Sequence, residues 1–232
     1  MKNNISQGKC QLCGSILARK DMTRHLKACA EKKHAAETAS KKPRIRQTGI
    51  FQLFVEGRLQ SAYWLHLKIR SDSTLRDLDH FLRAIWLECC GHMSAFRIEE
   101  KSYLSKLFEE SGFGWGPERQ EHKMDVKLGK VLRPGMKFFH EYDFGTPTEL
   151  SLKVLSYQEG YMKEHFQLLA RNEPPPILCK ICGAKADLVC AECIWAKGAW
   201  LCKKCARDHE HDEMLLPVVN SPRVGQCGYA GS

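Results

Sequence analysis

Between Cys179 and His211 the chain carries three Cys-x-x-Cys pairs, Cys179/Cys182, Cys190/Cys193 and Cys202/Cys205, followed by His209 and His211. Two thiolates three residues apart can turn back onto one metal ion, and a tetrahedral zinc is closed by two such pairs with sulfur at about 2.3 Å. Six Cys and two His therefore fill two sites. Neither keeps the open position that metal catalysis uses. A disulfide cluster is the competing reading. It suits secreted chains, and the start M-K-N-N-I-S-Q-G-K-C has no apolar targeting segment.

The spacing resembles the cross-brace of B-box-type zinc domains. That resemblance implies that the first and third pairs share one ion, and that the second pair and the two histidines share the other. His209 and His211 are one residue apart and need an extended backbone to converge. Cys227, in S-P-R-V-G-Q-C-G-Y, is an alternative ligand that could replace either histidine.

A second cysteine motif lies near the start, in K-C-Q-L-C-G-S-I-L-A-R-K-D-M-T-R-H-L-K-A-C. Cys10 and Cys13 form a knuckle, and His25 and Cys29, four apart, share a face of a helix that begins near Lys20. Leu12, Ile16, Leu17, Met22 and Leu26 supply a minute core. The motif resembles a Cys-Cys-His-Cys variant of the two-Cys, two-His zinc finger. So short a unit needs metal to fold, and zinc supplies about 10–16 kcal/mol. Three zinc ions are expected in all.

The formal net charge is +9, and residues 1–46 account for all of it. Twelve Lys and Arg there face only Asp21, Glu31 and Glu37. Such a segment is an electrostatic footprint for a polyanion. Arg19, Lys20, Arg24 and Lys27, on or beside the finger helix, and Lys41, Lys42, Arg44 and Arg46 are the candidate phosphate contacts. Residues 1–30 read as the finger and 31–47 as a basic linker in which Pro43 interrupts any helix.

Residues 48–172 read as the main domain. I-F-Q-L-F-V-E-G suggests a strand, and Leu65, Leu67 and Ile69 alternate with His66, Lys68 and Arg70 in a second strand with one buried face. Thr74 and Asp77 form a capping box, followed by a buried stripe of Leu75, Leu78, Phe81, Leu82, Ile85 and Trp86. Cys89 and Cys90 have no spaced partners and read as core thiols, not ligands. His92 reads as a structural histidine. Strands are expected around Phe96–Ile98, Leu150–Val154 and Phe166–Leu168 and in the aromatic stretch flanked by Met136, Phe138, Tyr142 and Phe144, with a helical turn at Leu128–Leu132. Trp115 sits in an irregular stretch. Pro174–Pro176 form a stiff linker within 173–178, and 179–232 form the two-zinc module.

S-T-L-R-D-L-D-H-F-L-R-A-I-W, G-H-M-S-A-F-R-I and L-R-P-G-M-K-F-F-H-E-Y-D-F-G resemble the pRi-plasmid ORF-three-like family, also labelled as the TnpR-like passenger protein of an insertion element. The resemblance spans about residues 48–160, and its strongest match is Tyr142-Asp143-Phe144-Gly145. The family continues with an acid and a Trp-x-His segment where this chain has Thr146-Pro147-Thr148-Glu149-Leu150. The resemblance implies an α+β fold, a curved mixed sheet covered by helices, and an association with mobile elements.

No nucleophile elbow, phosphate loop, dinucleotide turn or zincin helix occurs. Asp143, with His92 and Glu141 as helpers, is the candidate for catalysis, although an Asp before Phe-Gly is more simply a turn former. The leading expectation is a non-enzymatic, cytoplasmic zinc protein that binds nucleic acid, DNA before RNA. The alternative is a protein-interaction adaptor using the C-terminal module. No apolar run approaches the ~20 residues of a membrane span.

Overall fold

The computed structural model describes residues 6–37, 46–106, 121–195 and 198–231. Lys41, Lys42, Arg44 and Trp115 fall outside the described residues. The fold is α+β. Ten strands share one sheet in the order β2-β1-β10-β4-β3-β9-β8-β5-β6-β7. They are β1 Gln7–Cys10, β2 Ile16–Ala18, β3 Thr48–Gly57, β4 Trp64–Arg70, β5 Ser94–Ile98, β6 Lys101–Leu104, β7 Glu121–Lys123, β8 Lys137–Tyr142, β9 Thr148–Gly160 and β10 Phe166–Asn172. Every pairing is antiparallel except β6 with β7, which makes the sheet mixed. Bulges at Gln52/Leu53 and Leu168/Ala170 shift the register and bend their strands. A smaller sheet, β12-β11-β13, is built from β11 Leu188–Cys190, β12 Trp200–Leu201 and β13 Leu215–Pro217.

Alternation along the strands divides the large sheet into two faces. Leu53 and Val55 of β3, Leu65, Leu67 and Ile69 of β4, Phe138 and Tyr142 of β8, and Leu150 and Leu152 of β9 point to one core. Helix α2, Leu75–Leu82, lies on that core through Leu75, Leu78 and Leu82. The capping box is present: Thr74 Oγ1 accepts from the Asp77 N–H at 3.1 Å and Asp77 Oδ2 accepts from the Thr74 N–H at 2.8 Å. The helix continues as a π-helical turn, Arg83–Leu87, which buries Trp86 and delivers the chain to Cys89. Beneath it the fully buried pair Asp79 and His140 meets at 2.7 Å. The short helix α3, Leu128–Val131, closes the same side.

The other face is not simply solvated. Helix α1 runs Arg19–Glu37, into the stretch read as linker. Ala30 to Glu37 is made of good helix formers, and no breaker precedes Pro43. The helix lies over β1 and β10, where Met22, Leu26 and Cys10 pack on Trp64, Leu169 and Ala170. Ile16, expected in the finger's own core, is 56% exposed. His66, whose position on the polar side of β4 suggested exposure, is fully buried between the rings of Phe54 and Trp64.

The C-terminal module also joins the main core, through Val189, Ala199 and Val224. Among the described residues no helix is long and apolar enough to cross a membrane.

Candidate metal centres and a basic groove

Both termini use the same local device. In C-Q-L-C-G the Gly14 N–H donates to the Cys10 carbonyl at 2.9 Å, and in C-K-I-C-G the Gly183 N–H donates to the Cys179 carbonyl at 3.0 Å. Gly14 and Gly183 sit at φ +77 and +74, where a Cβ is penalised. The turn folds two thiols toward one point. At the N-terminus, strand β1 presents Cys10 and α1 presents His25 and Cys29 from one face. Cys10, Cys13, His25 and Cys29 then form one of four groups whose ligand atoms lie within 4.8 Å of one another. Cys13 Sγ lies 3.3 Å from His25 Nε2.

The C-terminal module separates its ligands as a cross-brace. Cys179, Cys182, Cys202 and Cys205 form one group, and Cys190, Cys193, His209 and His211 form another. The extended backbone at His209, φ −88 and ψ 132, lets the two histidines converge with different ring nitrogens. His209 offers Nε2 at 3.7 Å from Cys193 Sγ, and His211 offers Nδ1 at 3.3 Å. Cys227 takes no part in this group.

The donor sets and spacings fit a metal. All twelve cysteines are free, and the Cys182–Cys202 sulfur separation of 3.6 Å far exceeds a disulfide bond of about 2.05 Å. Four ligands at about 2.3 Å from a tetrahedral centre would lie about 3.8 Å apart. Turn N–H groups also prepare the thiolates. Backbone hydrogen bonds from Cys182 and Cys202 lower Cys179 to about 6, and the Ser15 hydroxyl and amide lower Cys13 to about 6. Their partners are driven the other way. Burial, then hydrogen bonding to Cys13, raises Cys29 to about 11, so further thiolates need a cation among them.

The fourth group was not expected from the sequence. Cys89 packs half-buried against the main core, as a core thiol would, but Cys90 is exposed, and both lie with His92 and Cys227. They were missed because adjacent cysteines do not show the Cys-x-x-Cys spacing and Cys227 stands 137 residues from Cys90. Four groups, not three, could therefore hold metal.

Asp143 borders this fourth group but is fully occupied as a turn former. At φ +66 its Oδ1 accepts from the N–H groups of Gly145 at 3.1 Å and Thr146 at 3.3 Å. Its Oδ2 accepts from the Thr146 hydroxyl at 2.6 Å and the Arg223 guanidinium at 2.6 Å. Burial works against the charge, but the Thr146 and Arg223 hydrogen bonds outweigh it and hold the carboxyl at about 2. His92 Nε2 is 3.5 Å from Asp143 Oδ2. Glu141 faces the other side of the sheet and pairs with Arg97.

The basic residues of the finger divide. Arg19 pairs with Glu56, donates to the Ser61 carbonyl at 2.9 Å and lies 5.1 Å over the Phe54 ring, so it clamps finger to sheet. Arg24 is exposed and pairs with Asp21 at 3.0 Å. Lys27 and Arg46 are exposed. Lys20 lines an open groove of about 840 Å³ between α1 and the sheet, together with Arg19, Glu56, Lys137, Ser151 and Lys153. Lys137, Lys153 and Arg58 were not singled out in the sequence. Lys137 and Lys153 are cross-strand partners in β8 and β9, and the docked finger sets Lys20 and Arg19 opposite them; Arg58 pairs with Glu149 at 2.9 Å. Beside the groove, Phe139 carries Arg58 at 5.0 Å and Lys137 at 5.6 Å from its ring centroid.

A family model described as plasmid pRiA4b ORF-3-like protein matches residues 51–182. No curated protein matches the chain. A solved structure of a protein of unknown function from Methanosarcina mazei Go1 is similar at 11% identity, with a TM-score of 0.43, over 53% of this chain and 67% of that one.

Proposed function

The chain belongs to the plasmid pRiA4b ORF-3-like family, and we propose that this member is a zinc-organised, non-enzymatic nucleic-acid-binding protein of the cytoplasm. Its zinc ions sit in the finger group and the two C-terminal groups, and its contact surface is the groove beside α1. The carrying observation is the lining of that groove: Arg19, Lys20, Lys137 and Lys153 face one carboxylate, Glu56, which Arg19 already engages. Exposed Arg24 and Lys27 extend the positive face along the helix. Phosphates bound there release counterions, which makes affinity fall steeply with salt. Arg58 and Lys137 lie over the Phe139 ring, and an unpaired base that displaced one of them would stack there. A reducing compartment keeps the twelve thiols available for metal. The association with mobile elements that the sequence resemblance implies agrees with a nucleic-acid partner.

Binding of the full chain to duplex and single-stranded DNA and RNA across a salt series tests this reading. Deleting the finger would uncover Trp64, so charge reversal of groove residues is the cleaner comparison. Four phosphate contacts give a log–log salt slope of about −3 to −4. Lys20→Glu with Lys153→Glu should weaken binding by more than tenfold and flatten the slope. No binding at low salt, or binding indifferent to these substitutions, rejects the groove.

A second reading has one specific observation in its favour. Trp195 and Ile181, both on the C-terminal module, are 75% and 67% exposed. Large apolar side chains so placed suit a protein partner. Salt-tolerant complexes lost on Trp195→Glu would favour an adaptor.

A further inference from the structure

The proposed function leaves Cys89, Cys90, His92 and Cys227 without a role. We propose that these residues form a fourth zinc site that fastens the C-terminal tail to the central domain. Cys90 Sγ lies 3.7 Å from both Cys89 Sγ and Cys227 Sγ, and 3.0 Å from His92 Nε2. His92 Nε2 lies 3.2 Å from Cys227 Sγ. These separations match the other groups, where Cys182 and Cys202 stand 3.6 Å apart and Cys13 and His25 3.3 Å. Three thiolates and an imidazole suit zinc and not magnesium or calcium, which take oxygen ligands.

Two separate parts of the fold aim these ligands. The π-helical turn Arg83–Leu87 ends just before Cys89, and single π-turns are often found at functional sites. The Tyr142 hydroxyl takes N–H donation from Cys89 at 3.4 Å and from His92 at 3.3 Å, which sets the Cys89–His92 loop. The tail is also held by hydrogen bonds of its own. Ser221 Oγ donates to the Trp86 carbonyl at 2.6 Å, and Arg223 NH1 donates to the Thr146 carbonyl and Thr148 Oγ1, both at 3.1 Å. That anchorage carries Cys227 to the cluster in a left-handed backbone at φ +45. Gly91 at φ +82 and Asp143 at φ +66 flank it, and residues held in such conformations collect where the surrounding structure demands them.

Charge completes the case. Three thiolates on a divalent ion leave one net negative charge. The fully buried Arg223 places its guanidinium 3.4 Å from Cys89 Sγ and 2.6 Å from Asp143 Oδ2. It donates to a ligand sulfur from behind, the outer-shell support typical of metal thiolates.

The test is the metal content of the reduced full-length protein, counted by native mass spectrometry after zinc loading. Four ions are expected for the native chain and three for Cys227→Ser, with an unchanged far-ultraviolet spectrum. His92→Cys keeps four ligands and should keep four ions. With cobalt(II), it should strengthen the thiolate-to-metal absorption relative to the native chain. Three ions in the native chain would overturn the site, leaving the other three groups intact. So would a Cys227→Ser variant that still binds four, or a Cys90–Cys227 disulfide in place of metal. If Cys227→Ser does not fold, His92→Cys decides: three ions there reject the site.

Discussion

The two ends of the chain carry the same cysteine knuckle and attach to the central domain by different physics. The N-terminal finger joins through a backbone ladder, β1 on β10 with Lys9 opposite Arg171, and through apolar contact of Met22 and Leu26 with Trp64 and Leu169. Its own small core leaves most of its fold to the Cys10, Cys13, His25 and Cys29 group if that group holds a metal. The C-terminal tail attaches through a buried ion pair, Arg223–Asp143 at 2.6 Å, and through Val224 in the main core. The same local motif therefore sits in modules that are fixed to the central domain in different ways. The finger docks through backbone pairing and apolar contact, whereas the tail docks through a buried ion pair beside its own candidate metal ligand, Cys227.

Metal removal should break the symmetry most. Chelation withdraws on the order of 10 kcal/mol from the finger. Hydrogen exchange along β1 and β10 should then lose more protection than the Tyr142–Thr146 corner, which keeps the Arg223–Asp143 pair. Equal loss at both ends would erase the distinction. Arg223→Ala is the converse break. It strands the buried Asp143 carboxylate and should cost about 3–5 kcal/mol, read by urea unfolding, with the finger's metal count unchanged.

Acid sharpens the comparison from the finger's side. Burial, then repulsion by Arg19, pushes His66 down to about 4 from an ordinary 6.5. Above pH 6.5 the ring is neutral in docked and undocked states alike. As pH falls from 6.5 toward 4 only the undocked state takes the proton, so docking weakens by about 3 kcal/mol across that window. His66→Phe should remove this part of the slope, measured as the difference in stability against pH between the two proteins. Smaller still is Gly8→Ala. Its Cβ would meet the Trp64 ring at 2.4 Å and the Arg171 carbonyl at 2.6 Å, a misfit of about 1–3 kcal/mol that should appear as fraying of β1 alone. Arg24→Ala removes an exposed pair and should change stability by less than about 0.5 kcal/mol. It sets the baseline for the other changes.

What the sequence made legible was local. The Thr74–Asp77 capping box, the alternation of Leu65, Leu67 and Ile69, and the Cys-x-x-Cys pairs are each read within a few residues. The features that hold the parts together pair residues far apart. Trp64 meets Asn172 across 108 residues and Arg223 meets Asp143 across 80. Periodicity carries no record of such partners. His66 shows the cost: its alternation with leucines marks a strand but does not reveal that a finger will cover the strand's second face. Adjacent Cys89 and Cys90 carry no spacing signal, and Cys227, by sequence an alternative to His209 or His211, lies against them, 137 residues beyond Cys90.

The position of the finger also bears on solubility. With β1 and β2 in place, the outermost strands of the large sheet are Ile16–Ala18 and Glu121–Lys123, of three residues each. Such short rims give another chain little to pair with. Lift the finger away and the rim becomes Phe166–Asn172, seven residues of unpaired backbone beside uncovered Trp64 and Leu169. If the finger is held by zinc, losing the ion would leave an open ladder of amide and carbonyl groups, ready to recruit further copies of the chain. The finger is then also a guard against self-association, maintained by the supply of a metal ion.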